Sequence, residues 1–305
     1  MSRFSVVVPA YNEEKTIEKV VRDILAVPEV HRCLVVDNNS SDKTSQVVEG
    51  LLPEFGTRLE LVRCAEQGKG HAFKAGVARC IDDEFVGLID ADDTYPAQAF
   101  SNLLAAARRD RLDMVVGNRF EFGGYQRSNK RPGHIAGNQA ISRFVRFISG
   151  VEVQDALSGL RVFSRRFLET FQNRADGFQL ETEFSVHCGK TGLRYRELPI
   201  EFLDRPADNP SKLNTLRDGY RILKFAIFNS ALSLTSRLGF MFGLCSVLVG
   251  GALGVRVIWE YLSQGRVTAI ALAVAAALFL IVGAQFVLFS GVDSRLRRIE
   301  RALLK

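Results

Sequence analysis

The sequence predicts an α/β fold: a doubly wound, mostly parallel sheet, followed by amphipathic interfacial helices and a two-helix transmembrane hairpin. Three observations lead there. Short β-branched runs alternate with stretches of helical periodicity over the first two-thirds of the chain. Polar clusters (PAYNEE, DNNSSD and DADD) each directly follow one of those runs. Two long uncharged segments lie near the C-terminus.

Phe4–Val8 (FSVVV) reads as a buried strand, and Glu14–Leu25 follows with Ile17, Val20, Val21, Ile24 and Leu25 at helical spacing. Cys33–Val36 is a second strand that ends at Asp37. Ser41 and Asp42 supply cap chemistry for a helix to about Leu52. Arg58–Arg63 is a third strand before a Lys69–Cys80 helix, and Phe85–Ile89 a fourth before a Pro96–Arg109 helix. Met114–Val116 is a fifth strand. Phe120–Gly137, basic and glycine-containing, reads as a loop before an Asn138–Ser149 helix. Glu181–Cys188 is a helix and Tyr195–Phe202 a strand.

The last third is different. From Leu216 to Arg237 apolar and basic residues alternate, as in a helix lying at a membrane surface; an ordinary surface helix is the plainer alternative. Leu238–Val255 and Val267–Val292 are uncharged, against roughly 20 apolar residues needed per bilayer crossing. The chain thus divides into a domain over 1–213, a juxtamembrane segment over 214–237 and a hairpin with a basic tail over 238–305. The tail DSRLRRIERALLK carries five cations and the linker SQGR one, which predicts both termini and the main domain in the cytoplasm. Trp259 stands where an interfacial anchor is expected.

Composition excludes several classes. With 47% hydrophobic and 24% charged residues, the 305-residue chain is neither disordered nor low-complexity. Its net charge of +6 resides outside the main domain: residues 1–204 carry net −2, and 205–237 and 238–305 carry +4 each. A nucleic-acid binder would carry the excess on its folded domain; here it flanks the apolar segments, pointing to a membrane. Five cysteines with no C-x-x-C pair argue against a disulfide framework and a zinc site. The N-terminus lacks the apolar core and cleavage site of a signal peptide. His31, His71 and His187 show no metal-ligand spacing and read as structural.

The polar clusters carry the chemistry. Asp90 and Asp92, two residues apart where a strand opens into a loop, suit a hard divalent cation, Mg²⁺ or Mn²⁺, held together with a diphosphate. Asp93 would point elsewhere, and Thr94 could add an oxygen. Acids at strand ends are also common caps. Asp37, followed by NNSS, could hold a base or ribose or simply cap a turn. In the first cluster Pro9 ends the strand, Tyr11 offers a ring and hydroxyl, and Glu13 an acceptor. In Gly68-Lys69-Gly70 the glycines permit close backbone approach and Lys69 can meet phosphate, although such a triplet is usually a turn.

The combination is more specific than its parts. PAYNEE, VVDNNSSD, QGKGHA and LIDADDTYP, continued through VVGNRF, DALSGLRVF, ETE and RPADNPSKL, resemble the nucleotide-sugar domain of the family-two inverting glycosyltransferases over residues 4–213. The pattern is most similar to the polyprenyl-phosphate sugar transferases, the group of dolichol-phosphate mannose synthase and bacterial undecaprenyl-phosphate glucosyltransferase. The resemblance implies a glycosyltransferase-A type sheet and a metal-dependent, inverting transfer from a nucleotide-sugar, UDP-linked by preference, to the phosphate of a polyprenyl lipid. It implies that Pro9, Ala10, Tyr11, Glu13, Asp37, Gly68, Lys69, Asp90 and Ala91 hold the donor, and that Asp90 and Asp92 hold the metal. Arg119, Arg131, Arg205, Ser211 and Lys212 would bind the acceptor phosphate; Lys130 or His134 could replace Arg131. Asp155 and Asp92 would be the catalytic carboxylates, Asp155 orienting or stabilising as much as deprotonating, since a lipid monophosphate is already mostly an anion at neutral pH. Its partners would be a nucleotide-sugar, a polyprenyl phosphate, the membrane and further copies of the chain, as dimer or tetramer. Two rivals stand beside this reading: a transferase acting on a protein or phosphate-free lipid, and a silent membrane scaffold that binds nucleotide-sugar. The chain lacks the Q-x-x-R-W motif of processive synthases.

Overall fold

The computed structural model describes residues 3–122, 125, 134–173, 175, 177, 179–203, 219, 221–226 and 234–303. Its strands are β1 (Phe4–Ala10), β2 (Arg32–Asp37), β3 (Leu59–Arg63), β4 (Phe85–Leu88), β5 (Met114–Asn118), β6 (Arg161–Ser164) and β7 (Tyr195–Pro199). Between and after them run α1 (Ile17–Leu25), α2 (Thr44–Phe55), α3 (Lys69–Val77), α4 (Ala99–Arg109), α5 (His134–Ser149), α6 (Arg165–Thr170), α7 (Leu180–Thr191), α8 (Leu234–Gln264) and α9 (Ile270–Leu303).

The seven strands form one sheet in the order β3-β2-β1-β4-β6-β5-β7. All pairings are parallel except those of β6, which runs antiparallel to both β4 and β5. β1, β2, β4 and β5 are buried almost throughout, as strands covered on both faces must be; hence their continuous Val/Ile/Leu runs. From β1 the chain winds outward through β2 to β3, then returns so that β4 lies on the other side of β1. The strand order reverses between β1 and β4, and a ligand crevice forms at the carboxyl ends beside such a switch point.

β6 was not foreseen as a strand. Its four residues, RVFS, are too short to show a period, and it is held by partners on both sides, Phe163 opposite Val86 and Met114. Beneath it packs an aromatic cluster in which the Phe184 ring centroid lies 4.9 Å from Phe73 and 4.7 Å from Phe163. The first helix begins at Ile17 rather than Glu14, because the backbone N–H groups of residues 12–14 are drawn away to side chains of the 40–44 loop. α5 begins at His134, inside the stretch expected to be loop. Of the expected Leu216–Arg237 amphipathic helix, residues 221–226 are helical and Leu234–Arg237 open α8; most of the remainder lies outside the described residues.

α8 and α9 form an antiparallel hairpin whose Thr235–Gln264 and Ile270–Asp293 stretches are long and apolar enough to cross a bilayer. They pack through small residues. A Cβ on Gly243 would stand 2.7 Å from the Gly283 carbonyl oxygen, and one on Gly250 would stand 2.9 Å from that of Ala276. Ser246 donates to the Phe279 carbonyl at 2.8 Å, and Ser236 to Asp293 Oδ2 at 2.6 Å. At the turn Glu260 accepts the Thr268 N–H at 2.8 Å. The large apolar side chains instead face outward: Trp259 is 73% exposed and Leu262 75%. The hairpin's base rests on α5, where Phe240 meets Phe144 at 5.8 Å and Phe147 at 6.2 Å between ring centroids.

Candidate active site

The loops leaving β1, β2 and β4 meet at the switch point, each with a non-glycine residue at positive φ: Asn12 at 53°, Asn39 at 62° and Asp93 at 59°. Asn and Asp tolerate this region better than other residues, and such strain gathers at functional loops. The loops are laced to one another. Asn12 N–H donates to Ser40 Oγ at 3.0 Å, and Ser41 N–H to Asn12 Oδ1 at 2.8 Å. Glu13 N–H donates to Thr44 Oγ1 at 2.8 Å. The Thr16 hydroxyl donates to the Ala91 carbonyl at 2.6 Å, tying the start of α1 to the DADD loop. The N-cap position of α2 falls on Lys43, which makes no side-chain cap bond; Asp42, one residue earlier, accepts the Thr44 N–H at 2.9 Å through Oδ1, while the Ser41 N–H bonds Asn12.

Asp37 closes β2 opposite Ala10, with Pro9 opposite Val36. Its carboxylate accepts from Ser40 N–H at 3.1 Å and Ser45 Oγ at 2.5 Å, so it is both buried and oriented. Asn38 clamps the next loop: its Nδ2 donates to the Glu66 carbonyl at 2.7 Å and its Oδ1 accepts the Gly68 N–H at 2.6 Å. Gly68 sits at φ 143°, where a side chain would be strained, and leads directly into α3. Tyr11 is half-buried beside these loops, and Glu13 and Ala91 are buried within them.

Lys69, the first residue of α3, reaches across to the Asp90 and Glu181 carboxylates. Burial alone would pull its ammonium down, but the two carboxylates outweigh that and hold it above the ordinary lysine range. Glu181 comes from α7, far away in sequence. The fold makes Glu181 of the ETE motif a partner of Lys69, and Glu183 accepts the Ala175 N–H at 2.9 Å. Asp90 also lies against Gly159, where a Cβ would stand 2.2 Å from its Oδ2. Asp92 is buried, and its Oδ1 accepts from the Thr94 hydroxyl at 2.6 Å. Asp93 turns outward to Lys19 at 2.6 Å. Two carboxylates at one strand end fit Mg²⁺ or Mn²⁺, which take oxygen ligands and, in phosphate sites, share one or two carboxylates with the substrate. Among the described residues no cluster of three or more His, Cys, Asp or Glu could enclose a metal.

Asp155 is fully buried and is gripped by Arg119. Arg119 Nε donates to Oδ2 and Nη2 to Oδ1, each at 2.8 Å, and the Arg119 backbone N–H adds a bond to Oδ2 at 3.1 Å. The guanidinium lies 4.5 Å from the Tyr125 ring centroid and 5.5 Å from that of Phe202. Arg119, expected on the acceptor phosphate, is thus engaged by Asp155 and two aromatic rings, with only 7% of its surface exposed. Arg131, Arg205, Ser211 and Lys212 lie outside the described residues.

The 154–160 loop is fixed from every side. The Gln154 N–H donates to Glu197 at 2.9 Å, Ala156 N–H to Ser142 Oγ at 3.0 Å and Gly159 N–H to Tyr95 Oη at 2.8 Å. Burial pushes the Glu197 carboxyl up, against the pull of the donors around it. Arg161 is wholly buried, and it donates to the Ser158 carbonyl at 3.0 Å and the Ala156 carbonyl at 2.8 Å while lying 5.4 Å from the Phe184 ring centroid. Sequence reasoning gave Arg161, Tyr95, Tyr125 and Glu197 no role. The visible signal was one arginine inside an apolar run, SGLRVF. His187 is half-buried beside Phe167 and Phe171, its pKa lowered to about 4 by burial and then by Lys190.

Comparison with known proteins identifies the family and the fold. The profile of the family described as glycosyl transferase family 2 matches residues 5–171. Glycosyltransferase AglJ of Haloferax volcanii is 28% identical over 98% of this chain and 95% of its own length. The dolichyl-phosphate hexose transferase of the same organism is 29% identical over 72% of this chain and 90% of its own. The polyprenol monophosphomannose synthase of Mycolicibacterium smegmatis is 28% identical over 67% and 78%. Among solved structures, glucosyl-3-phosphoglycerate synthase from Mycobacterium tuberculosis, in complex with Mn²⁺ and UDP-glucose, superposes with a TM-score of 0.56 at 22% identity, over 77% of this chain and 79% of that one. That likeness establishes the sheet architecture.

Proposed function

The chain belongs to glycosyl transferase family 2 and is a glycosyltransferase; from that premise we propose that it moves a sugar from a nucleotide-sugar to the phosphate of a polyprenyl lipid, with inversion, at the cytoplasmic face of a membrane. One observation carries the acceptor half of this reading: an outward-facing apolar hairpin is packed directly onto the sheet domain that holds the Asp90–Asp92 pair. An enzyme so built meets its acceptor at a bilayer. The names of the dolichyl-phosphate and polyprenol relatives support the same choice, and the UDP-glucose complex of the structural neighbour supports a UDP donor.

In the reaction an acceptor phosphate oxygen forms a bond to the anomeric carbon, while the bond from that carbon to the donor diphosphate breaks and its electron pair leaves on the nucleotide diphosphate. Pro9, Ala10, Tyr11, Glu13 and Asp37 would bind the nucleoside, and Gly68 and Lys69 the diphosphate, with Lys69 exchanging a carboxylate for phosphate oxygen. Asp90 and Asp92 would hold Mg²⁺ or Mn²⁺, which when bound supplies positive charge to the leaving diphosphate. A lipid monophosphate, with a second pKa near about 6, needs no strong base. Asp155 fits an orienting role, since both its oxygens already accept from Arg119. Arg131, Arg205, Ser211 and Lys212 would gather the acceptor phosphate, offsetting its repulsion from the donor.

The test is a donor panel. Purified full-length protein with Mg²⁺ or Mn²⁺ and a short polyprenyl phosphate is offered UDP- and GDP-sugars, and nucleotide diphosphate and glycolipid are measured. A chelator-sensitive glycolipid from one donor is expected. Transfer to diacylglycerol or phosphate-free polyprenol instead would overturn the acceptor, and donor binding without product would favour a silent scaffold.

A further inference from the structure

The α5 helix touches both regions of the molecule. On one face, Ser142 Oγ accepts the Ala156 N–H at 3.0 Å, and Asn138 bonds the Tyr125 hydroxyl, whose ring covers Arg119. At about 100° per residue, Ile148 lies on the flank between the two faces, and Phe144 and Phe147 lie on the opposite face. There the two phenylalanines meet Phe240 of α8, and Phe147 fills the space beside Gly291 of α9, where a Cβ would stand 2.0 Å from its ring. Ile148 packs in a small buried cluster with Val186 of α7 and Ala226. The end of α5 is pinned as well: a Cβ on Gly189 of α7 would stand 2.2 Å from the Ser149 carbonyl oxygen. From Ser149 the chain runs within six residues to Asp155.

We propose that α5 is a strut that couples the membrane hairpin to the Asp155 loop, making Phe147, Phe144 and Gly291 positioning residues for the transfer. An interior packed at native density has low compressibility and transmits strain, so a change on one face of α5 reaches the other. Loosening the Phe147–Gly291 contact therefore moves Ser142 and Asn138, and with them the backbone of residues 154–160 and the stack over Arg119. The bilayer thereby sets the geometry of the reaction centre as well as the location of the enzyme. The inference rests on the reading of the chain as a transferase whose centre lies beside Asp155.

The experiment compares full-length wild type with Phe147→Ala, Gly291→Leu, Phe147→Leu and Ser142→Ala in lipid nanodiscs. Amide hydrogen exchange is followed alongside transfer kinetics with the best donor. Phe147→Ala and Gly291→Leu are expected to speed exchange of residues 154–160 about tenfold, with β1 and β2 unchanged. They should lower kcat about tenfold to a hundredfold at unchanged donor KM, since small misplacements have that effect. Ser142→Ala should reproduce both changes from the other face, and Phe147→Leu, which keeps most of the bulk, should largely restore them. Unchanged exchange in residues 154–160, or exchange raised equally throughout the sheet, overturns the coupling. If wild type gives no product, the transferase reading fails and the exchange measurement still decides the strut.

Discussion

The sheet domain and the hairpin use the same apolar residues in opposite ways. In the domain Phe4, Val35, Leu88, Phe100 and Phe163 are fully inside, and the polar side chains gather at strand ends. In α8 and α9 Leu248, Ile258, Leu278 and Phe289 face outward, while Gly243, Gly250 and Gly283 occupy the contact. The first pattern is driven by removing apolar surface from water, about 25 cal/mol per Å². In a bilayer the second would gain nothing from that, and its contact is made by close backbone approach and bonds such as Ser246 to Phe279. One chain thus carries two packing patterns, and the loops of the candidate site belong wholly to the sheet domain.

That contrast predicts which changes damage chemistry and which damage assembly. The largest effect is expected from Asp92→Asn: a loss of transfer on the order of 10³-fold, equivalent to several kcal/mol of lost charge stabilisation. The thermal midpoint of the sheet domain should change little. Intact transfer with metal still required would remove Asp92 from the site. Gly159→Ala comes next, because its methyl would press into the Asp90 carboxylate. It should lower kcat about a hundredfold by displacing that group, with diminished Mn²⁺ affinity measured by electron paramagnetic resonance.

Gly243→Leu tests the other half. Overpacking against the Gly283 carbonyl should destabilise the hairpin by about 1–3 kcal/mol, seen as earlier dissociation of α8 from α9 in detergent titration. Donor binding by the sheet domain should persist, and its loss would show that the hairpin shapes the donor loops as well as the Asp155 loop.

The smallest effect concerns His187. Its folded-state pKa lies near 4, below the ordinary 6.5, because burial and Lys190 disfavour its charge. Its contribution to stability is therefore present above pH 6.5 and is lost as pH falls toward 4. His187→Gln cannot titrate and should flatten that part of the stability curve by on the order of 1 kcal/mol, partial exposure reducing the effect. An unchanged curve would show that the ring is hydrated in solution.

Much of the site was legible because it is built from strand ends. DNNSSD and DADD reveal themselves locally: a β-branched run stops and acids begin. The roles of Glu181, Arg119 and Arg161 were not, since each depends on a partner brought near by the sheet. Lys69 and Glu181 are 112 positions apart, and Arg119 and Asp155 are 36 apart. Nothing in the sequence around Arg119 distinguishes an arginine awaiting phosphate from one already gripping a carboxylate.

The sequence by itself determined the alternation of strands and helices, the carboxylate pair after the fourth strand and the two spanning-length apolar helices. These follow from residue type and period within a few neighbours. Tertiary structure alone decided that β6 runs antiparallel between β4 and β5, that Gly159 lies against Asp90, and that α5 joins the hairpin to the Asp155 loop. The reason is physical. Periodicity records which face of a segment avoids water, whereas strand order, register and close approach depend on chain closure between residues far apart, which no local pattern encodes.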